Sequence, residues 1–200
     1  MSYTLFENAS LFDGINQQVT DSAFVLVEGN EIKEVSGSHI KADGAQNIDC
    51  RGKTLMPGMI DNHVHVYIDS LRLGPPEPPI TYRAHYAQRF LRHILSCGFT
   101  CVRDVAGGDH GMAMALRDHF FEGPRFYYGG LALTPTGGHG DFRPMSQPTD
   151  YCGCGTFHNV LAMHADGVDE CVKATREELR KGASHIRHHG RTSSLECGAC

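Results

Sequence analysis

The residues best suited to chemistry lie in one short run, Asp61-Asn62-His63-Val64-His65. Successive side chains of a β-strand point to opposite faces, so residues two apart share a face. His63 and His65 would then offer two imidazoles to one point, as a divalent metal requires of its ligands. With 13 histidines in 200 residues, roughly one such pair arises by chance, so the spacing gains its meaning from the surroundings. Asp61 lies on the same face one layer deeper, where a carboxylate could support a ligand. A third histidine, His139, sits in the Gly-rich run Thr134-Pro135-Thr136-Gly137-Gly138-His139-Gly140-Asp141. There it could touch substrate or metal, with Asp141 and Arg143 placed to orient it or to bind a substrate carboxylate. Arg103 and Asp104 close an apolar run and read as a buried pair beneath the site. Cys152-x-Cys154 and Cys197-x-x-Cys200 have the donor type of a four-thiolate zinc site, but the first spacing is unusual for one. His188-His189 resemble ligands only by composition.

Positioning such groups takes a scaffold, and the chain changes rhythm partway. Up to residue 55 it reads as short strands, Tyr3–Leu5, Ala23–Val27, Glu31–Val35 and Asn47–Asp49, broken by Asp13-Gly14, Gly29-Asn30 and Asp43-Gly44. That is the signature of hairpins. After Met56-Pro57-Gly58 strands alternate with helices. Met59–Val66, Phe99–Val105, Arg125–Leu133 and Ala183–Arg187 read as strands, and Thr81–Cys97, Asp109–Phe121 and Val168–Lys181 as helices. A long Gly- and Pro-rich loop reaches from the third strand to about Gly167. Alternation of this kind predicts a parallel α/β sheet.

Composition narrows the function. A net charge of −5 gives no footprint for nucleic acid or an anionic membrane. The longest apolar runs fall far short of the ~18–20 residues of a membrane span. The opening MSYTLFENAS lacks the basic start of a secretory signal. Eight cysteines are too sparse for a disulfide framework. The expectation is a cytoplasmic domain with reduced thiols.

The run Thr54-Leu55-Met56-Pro57-Gly58-Met59-Ile60-Asp61-Asn62-His63-Val64-His65 resembles the first barrel strand of the metal-dependent amidohydrolase superfamily, with its PG-x-ID-x-H-x-H signature. The resemblance extends to the opening sheet at Leu5–Gly14 and Val25–Ile32, to Gly98–Val105, to Gly123-Pro124-Arg125 and to the run through His139. Ala165–Glu170 with Arg176-Glu177 and Lys181-Gly182-Ala183 resembles the helix before strand four. The nearest branch is that of Xaa-Pro dipeptidases, carboxypeptidases releasing basic amino acids and imidazolonepropionase-like proteins.

This resemblance implies a β-sandwich segment over residues 1–55 and, over 56–187, about the first four strands of a (β/α)8 TIM-type barrel. It implies His63 and His65 as metal ligands, His139 as a catalytic candidate, a divalent metal (zinc foremost) and a small-molecule or dipeptide substrate. In the intact family a homo-oligomer is possible. Further ligands would be a lysine carbamate on strand four, histidines of strands five and six, and an aspartate of strand eight.

Two departures stand out. A full barrel takes about 250 residues, and only about 145 follow the first segment. The carbamylated lysine aligns with Arg187, and arginine stays protonated, so it cannot take up carbon dioxide. From His188 the apolar rhythm is lost, so residues 188–200 read as an aberrant tail, as a reading-frame slip would give. The sequence thus predicts an amidohydrolase hydrolysing amide or peptide-like C–N bonds, present as an inactive fragment. The rivals are a non-catalytic homologue with a structural or oligomerising role, and a cyclic-amide hydrolase or deaminase of the same superfamily.

Overall fold

The structure, a computed structural model, describes residues 2–69, 78–143 and 160–189. The cysteines at 152, 154, 197 and 200 lie outside them. The chain divides into two compact units, Met1–Gly58 and Met59–Cys200.

The first unit is one five-stranded sheet. Strands β1 (Tyr3–Leu11), β2 (Thr20–Glu28), β3 (Glu31–Ser36) and β4 (Gln46–Asp49) lie in the order β3-β2-β1-β4, and β5 (Thr54–Leu55) also pairs with β1. β1 and β2 run longer than the apolar pattern suggests. Gly29-Asn30 does form a two-residue hairpin turn, with Gly29 at φ 62°. A glycine at positive φ in the first turn position matches the twist of the flanking strands. Alternation along the strands buries Leu5 and Leu26 with Ile40 on one face. The other face bears a groove of about 540 Å3 lined by Phe6, Leu11, Val25, Val27, Ile32 and Val35.

The second unit opens with the expected βα rhythm. β6 (Met59–Val64), α1 (Ile80–Ser96), β7 (Phe99–Asp104), α2 (His110–Arg117) and β8 (Arg125–Tyr128) give a parallel sheet in the order β6-β7-β8. Ala87 and Leu91, one turn apart on α1, are fully buried with Val64, Val66, Val102, Met112 and Phe121. Gly98, at φ 92°, ends α1, because a left-handed residue there is cheap only for glycine. Asp109 starts α2 by accepting the Met112 N–H at 2.8 Å.

The third expected strand is split in two. β8 stops at Tyr128, and Ala132–Thr134 forms a separate strand, β9, paired in parallel with β10 (Ala162–His164). The reason lies at Gly130, whose φ of 68° turns the chain off the ladder. A Cβ there would also overlap the buried Glu178 carboxylate, whose Oε2 accepts the Leu131 N–H at 3.2 Å. Glu178 comes from α3 (Gly167–Arg180). Gly130→Ala combines a strained φ with a clash against a buried carboxylate. It is expected to cost on the order of 3 kcal/mol, read from the denaturant midpoint. β10 falls where the sequence suggests only loop; three residues among glycines and prolines are too few to show a period.

The expected fourth strand, Ala183–Arg187, is not a regular strand. Its track follows the broken third strand: Ser184 N–H donates to Tyr128 O (2.9 Å), and Leu133 N–H donates to Arg187 O (2.8 Å). The pairing then runs on past Arg187. His189 N–H donates to Leu133 O at 2.7 Å, and Leu133 and His188 form a parallel bridge. Residues 188 and 189 therefore extend the fold rather than leaving it.

Candidate active site

Groups that could react gather just past the C-terminal ends of parallel strands. His63 is the penultimate residue of β6 and His65 directly follows the strand, with ring centroids 5.4 Å apart. Ala106, past the end of β7, orients His65: its carbonyl accepts from Nδ1 at 3.2 Å. That bond places the proton on Nδ1 and leaves Nε2 as a lone pair, the tautomer a metal ligand needs. Burial, first, and then the His63 and Arg187 charges push the His65 pKa down against that carbonyl, so the ring is neutral near pH 7.

Asp104 fixes the loops that carry this pair. Wholly buried at the end of β7, it accepts the Val66 N–H at 2.7 Å and the Gly108 N–H at 2.8 Å. Burial pushes its carboxyl up to about 7 despite those donors. The expected Arg103–Asp104 pair does not form. Residues one apart in a strand face opposite sides, and Arg103 Nε donates instead to Asn62 O at 2.9 Å. Asp61 does not reach either imidazole; its Oδ1 accepts the backbone N–H of His63 at 3.0 Å.

His139 stands in the loop after β9, folded by Thr134 Oγ1 on the Gly140 N–H (3.1 Å) and by Asp141 Oδ2 on the Gly137 N–H (2.9 Å). Asp141 and Arg143 do not orient it. They hold each other in a two-pronged pair at 2.7 and 2.6 Å, with His164 Nε2 3.1 Å from the same carboxylate. The Arg143 guanidinium holds the Asp141 carboxyl well below its usual range. The rings that meet His139 are instead those of His189, centroid to centroid 5.0 Å, and Phe142, at 6.5 Å and edge-on.

His189 is the site residue that the sequence set aside, as a ligand by composition only. It is only 8% exposed, and among the described residues neither ring nitrogen has a hydrogen-bond partner. Burial, then Arg187 and the neighbouring histidines, push its pKa down to about 4. The available signal was its position two residues after Arg187, which puts both on one face of an extended track. Arg187 meets the first-strand pair directly: its guanidinium donates to His63 Nε2 at 3.0 Å. Among the described residues no three His, Cys, Asp or Glu side chains come together as a metal-holding group.

Parallel strands joined by helices, with histidines near the strand ends, have the arrangement of α/β enzymes that build their site at the C-terminal edge of a sheet. The chain belongs to the amidohydrolase family, whose model matches residues 54–197. That match continues past Arg187, where the sequence alone loses the resemblance. The ochratoxinase of Aspergillus niger is 32% identical over 154 residues, which are 68% of this chain and 31% of that protein. A prolidase solved with N-methylphosphonate-L-proline is 37% identical with a TM-score of 0.83, and a Xaa-Pro dipeptidase solved with methionine is 26% identical with a TM-score of 0.78. Each of these two matches covers 94% of this chain, and 46% and 47% of the respective structures. The chain thus spans under a third of that curated relative and under half of these structures.

Proposed function

We propose that the chain supplies the first half of a (β/α)8 barrel of an amide hydrolase acting on Xaa-Pro or similar dipeptides. We propose also that this chain does not turn over by itself. The substrate class is supported by the likeness to a prolidase and a Xaa-Pro dipeptidase solved with small amino-acid-like molecules. His139, exposed on its loop near the imidazole cluster, is the residue placed to contact substrate. Among the described residues no helix is long and apolar enough to cross a membrane.

In this family a divalent metal would polarise the scissile carbonyl and supply hydroxide near neutral pH. The residues present do not fit that group. His65 has a free Nε2, but the lone pair of His63 Nε2 accepts from Arg187. A guanidinium cation therefore stands where the family resemblance calls for an anionic carbamate. That contact is the observation that carries the lack of turnover, and it also favours a non-catalytic homologue as the second reading.

The test is hydrolysis of a panel of Xaa-Pro dipeptides by the purified 200-residue chain, with zinc or manganese added. No release of proline above the buffer rate is expected. Metal-dependent turnover that disappears in His63→Ala and His65→Ala would contradict the proposal.

A further inference from the structure

We propose that His63, His65, His139, His189 and Arg187 form a binding site for a small carboxylate anion, held by the Arg187 guanidinium and a ring N–H of His189. The site is the one discussed above, but the inference does not rest on hydrolysis: ion binding tests it, and turnover plays no part.

Three observations converge. First, His189 is more than nine-tenths buried with both ring nitrogens unpartnered among the described residues. A neutral imidazole always has one N–H to donate, and buried donors in folded proteins are normally paired. The ring lies against His139 in the imidazole cluster, so a ligand there would satisfy it. Second, Arg187 uses one N–H on His63, and among the described residues its side chain makes no other hydrogen bond. A guanidinium has five such donors in a flat fork that fits a carboxylate at two points. Third, the nearby acids are turned elsewhere. Asp61 and Asp104 accept backbone N–H groups, and Asp141 is paired with Arg143. The charged or titratable groups acting on His65 and His189 are all imidazoles or Arg187.

A cation at His63 and His65 would have to displace Arg187 from His63 Nε2, whereas an anion can use Arg187 where it stands. Arg187 supplies a single fixed positive charge with a flat two-point fork. That matches a carboxylate better than a doubly charged phosphate.

The experiment titrates the 200-residue chain with acetate, and separately with inorganic phosphate, following the histidine ring nitrogens by NMR. Acetate is expected to move the His189 and His65 signals and to leave those of His164, held by Asp141, in place. Arg187→Gln, which keeps the length and removes the charge, is expected to weaken acetate binding about tenfold or more. Arg187→Lys, which keeps the charge and loses the fork, should fall between the two. Uniform shifts or none, acetate binding unchanged in Arg187→Gln, or phosphate binding more tightly than acetate would each overturn the assignment. Should Arg187→Gln fail to fold, the residue-specific shifts in the unmutated chain still decide it.

Discussion

Replacing Arg187 by alanine is expected to raise the zinc affinity of the chain by about tenfold to a hundredfold. The substitution frees His63 Nε2, which now accepts from the guanidinium at 3.0 Å, so that His63 and His65 can both ligate. It also removes a like charge. At about 5 Å and an effective dielectric near 20, a dication and a guanidinium repel by roughly 7 kcal/mol before screening. Partial exposure reduces that severely, but each decade of affinity takes only about 1.4 kcal/mol. Calorimetric titration with zinc would check it. Equal affinities in the two chains would show that Arg187 does not guard the histidines.

Asp104→Asn is expected to destabilise the second unit by about 2–4 kcal/mol, the range for breaking a buried network with two short backbone bonds. Asn offers one carbonyl oxygen where the carboxylate offers two, so either the Val66 or the Gly108 N–H loses its acceptor. The cost should depend on pH. The folded carboxyl is raised to about 7 from its ordinary value near 3.8. Its stabilisation is therefore complete below the ordinary value and is lost as pH rises through about 7. Three units at 1.36 kcal/mol each set an upper bound of about 4 kcal/mol on that loss. His65, His185 and His189 oppose it, because their lowered pKa values remove stability as pH falls below the ordinary imidazole value. The quantity to compare is hence the gap in Tm between wild type and Asp104→Asn, which should widen from about pH 8 to about pH 5. A gap that stays constant would mean that Asp104 remains ionised throughout.

What could be read from the sequence follows the strength of the period. The 17 residues of α1, carrying Ala87 and Leu91 on one face, differ from their expected bounds by one residue at each end. β7 was legible as an apolar-rich run opened by Gly98, and β6, half polar over Met59–Val64, through the PG-x-ID-x-H-x-H run that carries the family resemblance. The split at Gly130 was not, because Gly129-Gly130 leaves the hydrophobic run intact. Only the approach of Glu178, 48 positions later, makes the left-handed turn necessary. β10 escaped because three residues cannot display alternation.

In the site, the His63 and His65 spacing places both rings together because a strand repeats every two residues. The same rule applied to Arg187 would have reached His189, yet the polar residues around it hid the continuing track along Leu133. Arg103 and Asp104 failed as a pair for the converse reason: neighbours in a strand diverge.

The most direct measurement is the zinc content of the purified 200-residue chain, incubated with excess zinc, desalted and analysed by elemental mass spectrometry. Because the Arg187 guanidinium occupies His63 and, among the described residues, no group of three metal-ligating side chains includes His65, well under one zinc per chain should remain. One or more zinc ions per chain, lost when His63 and His65 are changed to alanine, would contradict that account.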